Sequence, residues 1–152
     1  MSVLLTVSLS ATLPLSAASH VDVVKMRTEN QVNPLGIGTS TPRFSWQITS
    51  DRKGVVQTSY QILVASSREK LDRNEADLWD SGERNSDEQL WIPYQGKALL
   101  SGAQAYWKVR ITTNKGKSEW TEPQLFTIGL LGETKWSGTW IGLEDLQPGE
   151  QK

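Results

Sequence analysis

Few residues in this chain of 152 could take part in catalysis. Cysteine is absent and His20 is the single histidine, so a thiol nucleophile, a thiolate metal site and a multi-histidine metal site are excluded. Because His20 borders an N-terminal stretch that we interpret below as cleaved, we also exclude a Ser-His-Asp triad. The sequence thus predicts no catalytic residue, no cofactor and no metal ligand.

A pair of carboxylates, one acting as acid and one as base, would have to come from one polar stretch, which holds Asp80, Glu83, Asp87 and Glu88. A general acid needs a raised pKa, and that requires burial or a nearby like charge. The stretch offers neither, since it is polar and follows a glycine turn. We therefore expect these four residues to form a solvated loop.

Two tryptophans of the seven in the chain are candidates for binding. Trp79 follows Leu78 in a short strand pattern, and alternation places Trp91 opposite Leu90, Ile92 and Tyr94, so that its ring points outward. An exposed tryptophan can stack on a sugar ring or pack on a neighbouring domain. We favour domain packing, because fused modules bury such residues.

The segment Ala105–Thr113 is the strand around which the others must be arranged. Apolar and polar residues alternate along it, and turn residues flank both of its ends. We expect it near the middle of a sheet, with one face on a core. Further strand patterns lie at Val21–Thr28 (an edge strand), Phe44–Thr49, Gln57–Ala65, Leu78–Gly82, Gln89–Tyr94 (an edge strand, because of Pro93) and Gln124–Gly129, the last preceded by a bulge around Trp120 and Pro123.

Seven short strands at intervals of roughly ten residues indicate an all-β fold, an antiparallel β-sandwich. The segment Ser66–Asp77 is the one helix-like stretch, and it is short enough for a single turn capped by Ser67. The predicted core lies between the two sheets and consists of Trp46, Tyr60, Ile62, Trp107, Val109 and Phe126.

Charge and hydropathy bear on partners and location. The formal net charge of -1 gives no electrostatic case for nucleic acid or an anionic membrane, and no apolar run is long enough to span a bilayer. Residues 1–19 carry no charge, and an apolar block is followed by Ser16-Ala17-Ala18, which is typical of a secretory signal peptide. We therefore expect an extracellular or periplasmic protein, although a tail or an extra strand would also fit this segment.

The order of features resembles a fibronectin type III, or immunoglobulin-like, seven-stranded sandwich across residues 21–129. The resemblance rests on Phe44-Ser45-Trp46, Tyr60–Val64, Leu99 with Ser101-Gly102, Trp107-Lys108-Val109 and the segment Asn114–Pro123. The tyrosine that such sandwiches place three residues after the glycine is replaced by Ala105. Since Tyr106 should face the other way, the usual tyrosine-corner hydrogen bond is not expected.

A narrower resemblance is to the N-terminal sandwich module of bacterial α-L-rhamnosidases, over about residues 25–142. It is carried, in this order, by Glu29-Asn30, Asn33–Ile37, Thr41–Trp46, Gln57–Ala65, Leu78–Gly82 and Trp136–Gly142. The resemblance implies a catalytic domain far downstream, so that no catalytic carboxylate can be assigned in this chain. It also implies that residues 130–152 are a linker or the start of the next domain.

Two functions remain open at this point. In the first, the chain is a non-catalytic accessory module of a secreted rhamnosidase-type glycoside hydrolase that packs against neighbouring domains through Trp136, Trp140 and Ile141. In the second, it is a free-standing carbohydrate-binding or adhesion module, with rhamnose-containing glycans as a ligand.

Overall fold

The computed structural model describes residues 21–132. This part of the chain contains nine strands and one short helix. In chain order they are β1 (Val21–Thr28), β2 (Arg43–Ser50), β3 (Gln57–Ala65), α1 (Arg68–Asp72), β4 (Trp79–Asp80), β5 (Arg84–Asn85), β6 (Ile92–Pro93), β7 (Gln104–Thr113), β8 (Gly116–Lys117) and β9 (Gln124–Thr127).

The strands form two antiparallel sheets. One sheet has the order β1-β2-β6, and the other has β3 and β7 at its centre. Strand β7 pairs with β3 along one side, from Thr113 opposite Gln57 to Tyr106 opposite Ala65, and with β8 and β9 along the other side. The predicted sandwich, its central strand and the edge positions of β1 and Pro93 are thus confirmed. The two strands beyond the predicted seven, β5 and β8, have two residues each.

The core between the sheets follows from alternation along β2, β3 and β7. All six predicted core residues are buried there. The rings of Phe44 and Trp107 lie 4.4 Å apart between centroids, and Phe126 meets Phe44 edge-on at 5.8 Å. Such pairs add attraction between the rings to the burial of their large apolar areas.

Gln57 is a buried polar residue at the start of β3. Its Oε1 accepts a hydrogen bond from Trp46 Nε1 at 3.0 Å. Its Nε2 donates to the carbonyl oxygens of Ser86 and Glu88, at 3.0 and 2.9 Å. Because both ends of the amide are satisfied, Gln57 fixes the loop before β6 to the core at little desolvation cost.

The outer face of the larger sheet carries a second, smaller cluster under α1. It contains Leu63, Ala65 and Leu71, with Tyr106 and Trp120 packed against them. Ser67 caps the helix as expected. Lys108 belongs to the polar side of the alternating pattern of β7, yet it is buried, and burial lowers its pKa. Its Nζ donates to Leu71 O and Asn74 Oδ1, and it lies 5.1 Å from the Trp120 ring centroid.

The predicted strand Gln89–Tyr94 is wrong in its first half. Only Ile92–Pro93 is a strand, and Leu90 is 64% exposed rather than facing the core with Ile92 and Tyr94. Trp91 has a φ of 59°, in the left-handed region, which breaks the alternation. The regular strand therefore starts only at Ile92, where β6 pairs with β2.

The predicted last strand, Gln124–Gly129, begins where expected but ends earlier, since β9 spans Gln124–Thr127. Ahead of it, side-chain hydroxyls replace part of the ladder. Ser118 Oγ accepts from Ile111 N at 3.1 Å, and Thr121 Oγ1 accepts from Val109 N at 3.0 Å. These bonds hold the segment before β9 against β7 without a regular strand.

Candidate functional site

Trp91 projects from the smaller sheet and is 42% exposed. Its backbone is held in place although φ is positive: Trp91 N donates to the buried hydroxyl of Ser45 at 3.0 Å. The next residue of β2, Trp46, donates its N–H to Gln89 O at 3.0 Å. Both bonds tie the backbone around Trp91 to β2. The sheet thus fixes the point from which the exposed ring projects.

Arg43 covers one face of the Trp91 ring. The guanidinium carbon lies 4.2 Å from the ring centroid. Glu29 holds the guanidinium with two bonds, from Nε at 3.1 Å and from Nη2 at 2.8 Å, and it also accepts from Arg43 N at 2.7 Å. Hydrogen bonding from Arg43 lowers the pKa of the Glu29 carboxyl. We call Trp91, Arg43 and Glu29 the Trp91 platform.

The platform combines a flat aromatic ring with an ion pair that is already satisfied. A guanidinium–carboxylate fork of this geometry is rigid, and the stacked ring shares that rigidity. Arg43 covers one face of the ring, and Trp91 remains 42% exposed.

Trp79 lies on the other sheet, in β4, and is half-buried. Its ring is 6.4 Å from that of Phe44 and 5.4 Å from that of Tyr94, so it packs on the core. Gly96 lies directly against Trp79: a Cβ atom added at Gly96 would lie only 2.4 Å from Trp79 Cβ. The structure does not bring Trp79 and Trp91 together on one surface, and the proposed contact of either with a sugar or a domain stays a prediction.

The four carboxylates of the polar stretch are exposed, as predicted, and two of them support local structure. Asp80 accepts from Gln61 Nε2 and Gly82 N. Glu83 accepts from Ser59 Oγ at 2.8 Å and Thr112 Oγ1 at 3.2 Å, and the bond from Ser59 is the largest cause of its lowered pKa. A lowered pKa keeps Glu83 ionised, which is opposite to what a general acid requires.

A second surface lies at the end of the sandwich where the chain reaches Gly132. Leu35, Leu100 and Leu130 are 77%, 73% and 63% exposed there. Their backbones are joined around Ile128 and Gly129: Gly129 N donates to Ile37 O at 2.8 Å, and Gly102 N donates to Ile128 O at 3.0 Å. We call these three residues the leucine end.

Several predicted residues lie outside the described part of the chain. They are the signal segment 1–19, His20, and the packing residues Trp136, Trp140 and Ile141. Within residues 21–132, no group of three or more His, Cys, Asp or Glu side chains is placed to hold a metal ion. In the same range no helix is both long and apolar enough to cross a membrane.

The sequence reasoning missed the partners of Trp91 and two of the three residues of the leucine end. Nothing in the local pattern links Arg43 and Glu29 to Trp91, since the three come from distant parts of the chain. Leu35 and Leu100 gave a weak signal that was not used. Each is a large apolar residue beside a turn, at Pro34-Leu35-Gly36 and at Leu100-Ser101-Gly102.

Comparison with known proteins agrees with this geometry. Residues 23–132 match the family described as Rha78A-like, N-terminal immunoglobulin domain. An α-L-rhamnosidase of Formosa agariphila is 39% identical over 127 residues, which are 82% of this chain and 13% of that protein. An α-L-rhamnosidase of Streptomyces avermitilis is 37% identical over 124 residues, 81% of this chain and 12% of the relative.

Solved structures agree as well. The crystal structure of the Streptomyces avermitilis α-L-rhamnosidase complexed with L-rhamnose superposes with a TM-score of 0.74 at 36% identity, over 81% of this chain and 12% of that chain. The α-L-rhamnosidase from Dictyoglumus thermophilum gives 0.73 at 36% identity, over 79% and 14%. The chain therefore spans 12–14% of the length of these relatives. With the sandwich and the family match together, the chain belongs to the Rha78A-like N-terminal immunoglobulin domains.

Proposed function

We propose that this chain is a non-catalytic structural module of a secreted α-L-rhamnosidase-type glycoside hydrolase, and that it packs against the domain that follows it. The observation that carries the proposal is the leucine end. Three exposed leucines surround the point at which the chain leaves the sandwich, and an apolar surface of this kind favours a protein partner.

The residues after Gly132 support the same contact. Trp136, Trp140 and Ile141 follow closely in sequence, and large apolar residues of this type are the usual anchors of an interface. A following domain can reach the leucine end without a long linker. Leu35, Leu100 and Leu130 would then form one side of the interface, and the tryptophans would form the other.

Secretion is the second part of the proposal. Residues 1–19 have the uncharged apolar character of a signal peptide. Strand β1 begins at Val21, so that cleavage after Ala18 would remove no described element. Expression in a bacterial host with export should yield a protein whose N-terminal residue lies between 19 and 21. A protein found in the cytoplasm with an intact N-terminus would contradict secretion.

The packing can be tested by thermal unfolding of the chain alone and of the chain extended into whatever domain its gene encodes next. We expect the extension to raise the melting temperature of the sandwich. The double variant Leu100→Ser, Leu130→Ser should lose that gain. In the isolated chain, the same double variant should leave the melting temperature unchanged. The control is Val56→Ser, which is also exposed but lies between β2 and β3. An equal gain in the double variant would mean that the leucine end is not the contact.

A further inference from the structure

We propose that the Trp91 platform binds a neutral pyranose ring, which stacks on the face of Trp91 that Arg43 leaves open. This binding function goes beyond the structural role proposed above and does not depend on it.

The first step of the argument is the backbone of Trp91. Bulky residues rarely adopt a φ of 59°, and residues held in such conformations cluster at functional sites. Packing does not explain this one, since the ring is 42% exposed and stays outside the two hydrophobic clusters. The bonds from Trp91 N to Ser45 Oγ and from Trp46 N to Gln89 O hold it there.

The second step is the charge of the site. A bare tryptophan face attracts cations, but a guanidinium already lies on this ring at 4.2 Å and would repel a second cation. A free guanidinium attracts anions, but Glu29 occupies this one with two hydrogen bonds. The platform therefore disfavours both kinds of ion, which leaves a neutral ligand.

The third step is the chemistry of the open face. An aromatic face is electron-rich, so it attracts groups that carry partial positive charge. The C–H groups on one side of a pyranose ring are such groups, and the sugar's hydroxyls then point to the rim.

The fourth step is preorganisation. Glu29 holds Arg43, and Arg43 lies against the ring. Arg43 is the first residue of β2, and Glu29 directly follows β1, its neighbour in the same sheet. A ligand therefore does not have to order the side chain on binding, which removes one cost of association.

The test uses the full chain and two probes, methyl α-L-rhamnopyranoside and methyl β-D-glucopyranoside. Saturation-transfer NMR reports binding, and the shift of the Trp91 indole N–H reports its place. We expect weak binding of at least one glycoside and a shift confined to that indole. Trp91→Ala should weaken binding at least tenfold, whereas Leu90→Ala, which changes the exposed neighbour, should not change it.

Trp91→Gly covers the case in which Trp91→Ala unfolds, because glycine accepts the positive φ. Melting temperatures of all variants establish that they are folded. The proposal is overturned if neither glycoside binds at its solubility limit, or if a glycoside binds equally to Trp91→Gly. It is also overturned if Trp91→Gly affects only the stability gain from the following domain, since Trp91 would then be a domain contact. The leucine-end variants test the structural proposal separately.

Discussion

At the scale of single residues, Gly96 is a glycine whose surroundings leave no room for a side chain. A Cβ atom there would lie 2.4 Å from Trp79 Cβ, 2.5 Å from Leu78 O and 2.5 Å from the Tyr94 hydroxyl. Two of these neighbours cannot move without moving the backbone. The Tyr94 hydroxyl in turn donates to Lys97 O at 2.7 Å, which closes the loop around the glycine.

Gly96→Ala should therefore lower the free energy of unfolding by about 1–3 kcal/mol, the range for overpacking a well-packed site. Urea denaturation followed by tryptophan fluorescence measures it. The matched control is Gly38→Ala, where nothing lies within 4 Å of the added methyl group. Equal stabilities of the two variants would show that the loop at Gly96 yields easily.

The residues of the core were predictable one by one, and those of the Trp91 platform were not. Trp107 and Val109 lie on the apolar face of a regular strand, and alternation alone assigns that face. The Tyr106 hydroxyl accepts a hydrogen bond from the Gln104 side chain, and the Tyr94 hydroxyl donates to Lys97 O. Arg43 reaches Trp91 only through tertiary pairing of β2 with β6, which no local pattern encodes.

At the scale of elements, a single carboxylate joins the end of β3 to the segment after α1. Asp77 accepts from Ser66 N at 2.9 Å, Ser66 Oγ at 2.8 Å and Lys70 Nζ at 2.6 Å. Burial on its own would raise the pKa of Asp77, but the hydrogen bonds from Lys70 and Ser66 outweigh it and lower the pKa to about 2. The charged form of Asp77 is thus the one that the fold prefers.

A lowered pKa makes this link sensitive to acid. Between the ordinary aspartate pKa of 3.8 and the folded value of about 2, the unfolded chain takes up a proton at Asp77 before the folded chain does. The stability that Asp77 supplies is therefore nearly complete above about pH 5 and is lost as the pH falls towards about 2. Melting temperatures of the wild type and Asp77→Asn should differ at pH 7 and converge near pH 2. A difference that stays constant with pH would rule out this linkage.

Regular elements were predicted better than irregular ones. The bounds of β1 and β3 agree with their sequence patterns, although β1 has a register shift between Val24 and Arg27 and β3 has one between Gln57 and Ser59. The errors fall where side chains or unusual dihedral angles replace the ladder. Trp91 shortens β6 through its positive φ, and Ser118 and Thr121 hold the chain before β9 with their hydroxyls. In a sequence, a serine or threonine whose hydroxyl accepts a backbone hydrogen bond in place of a strand partner cannot be told from any other serine or threonine.

At the scale of the whole molecule, the proposed structural role predicts that the purified chain hydrolyses no aryl α-L-rhamnoside. Among the described carboxylates, Glu29, Glu69, Glu75, Asp77 and Glu83 all have lowered pKa values, and none of these can serve as a proton donor near neutral pH. Release of p-nitrophenol measures the activity. Turnover that a carboxylate-to-amide substitution abolishes would refute the non-catalytic role.

The connection between β1 and β2 has a mechanical consequence. Its residues 34–37 run alongside β9, with a parallel bridge between Ile37 and Ile128. Three backbone hydrogen bonds span the contact: Thr127 N to Pro34 O, Ile37 N to Thr127 O and Gly129 N to Ile37 O, at 3.0, 2.8 and 2.8 Å. A pulling force on the polypeptide beyond Gly129 acts along β9, across these bonds rather than along them. All three must then break together, so tension transmitted through the chain is resisted in shear at this seam before it reaches the packed rings behind it.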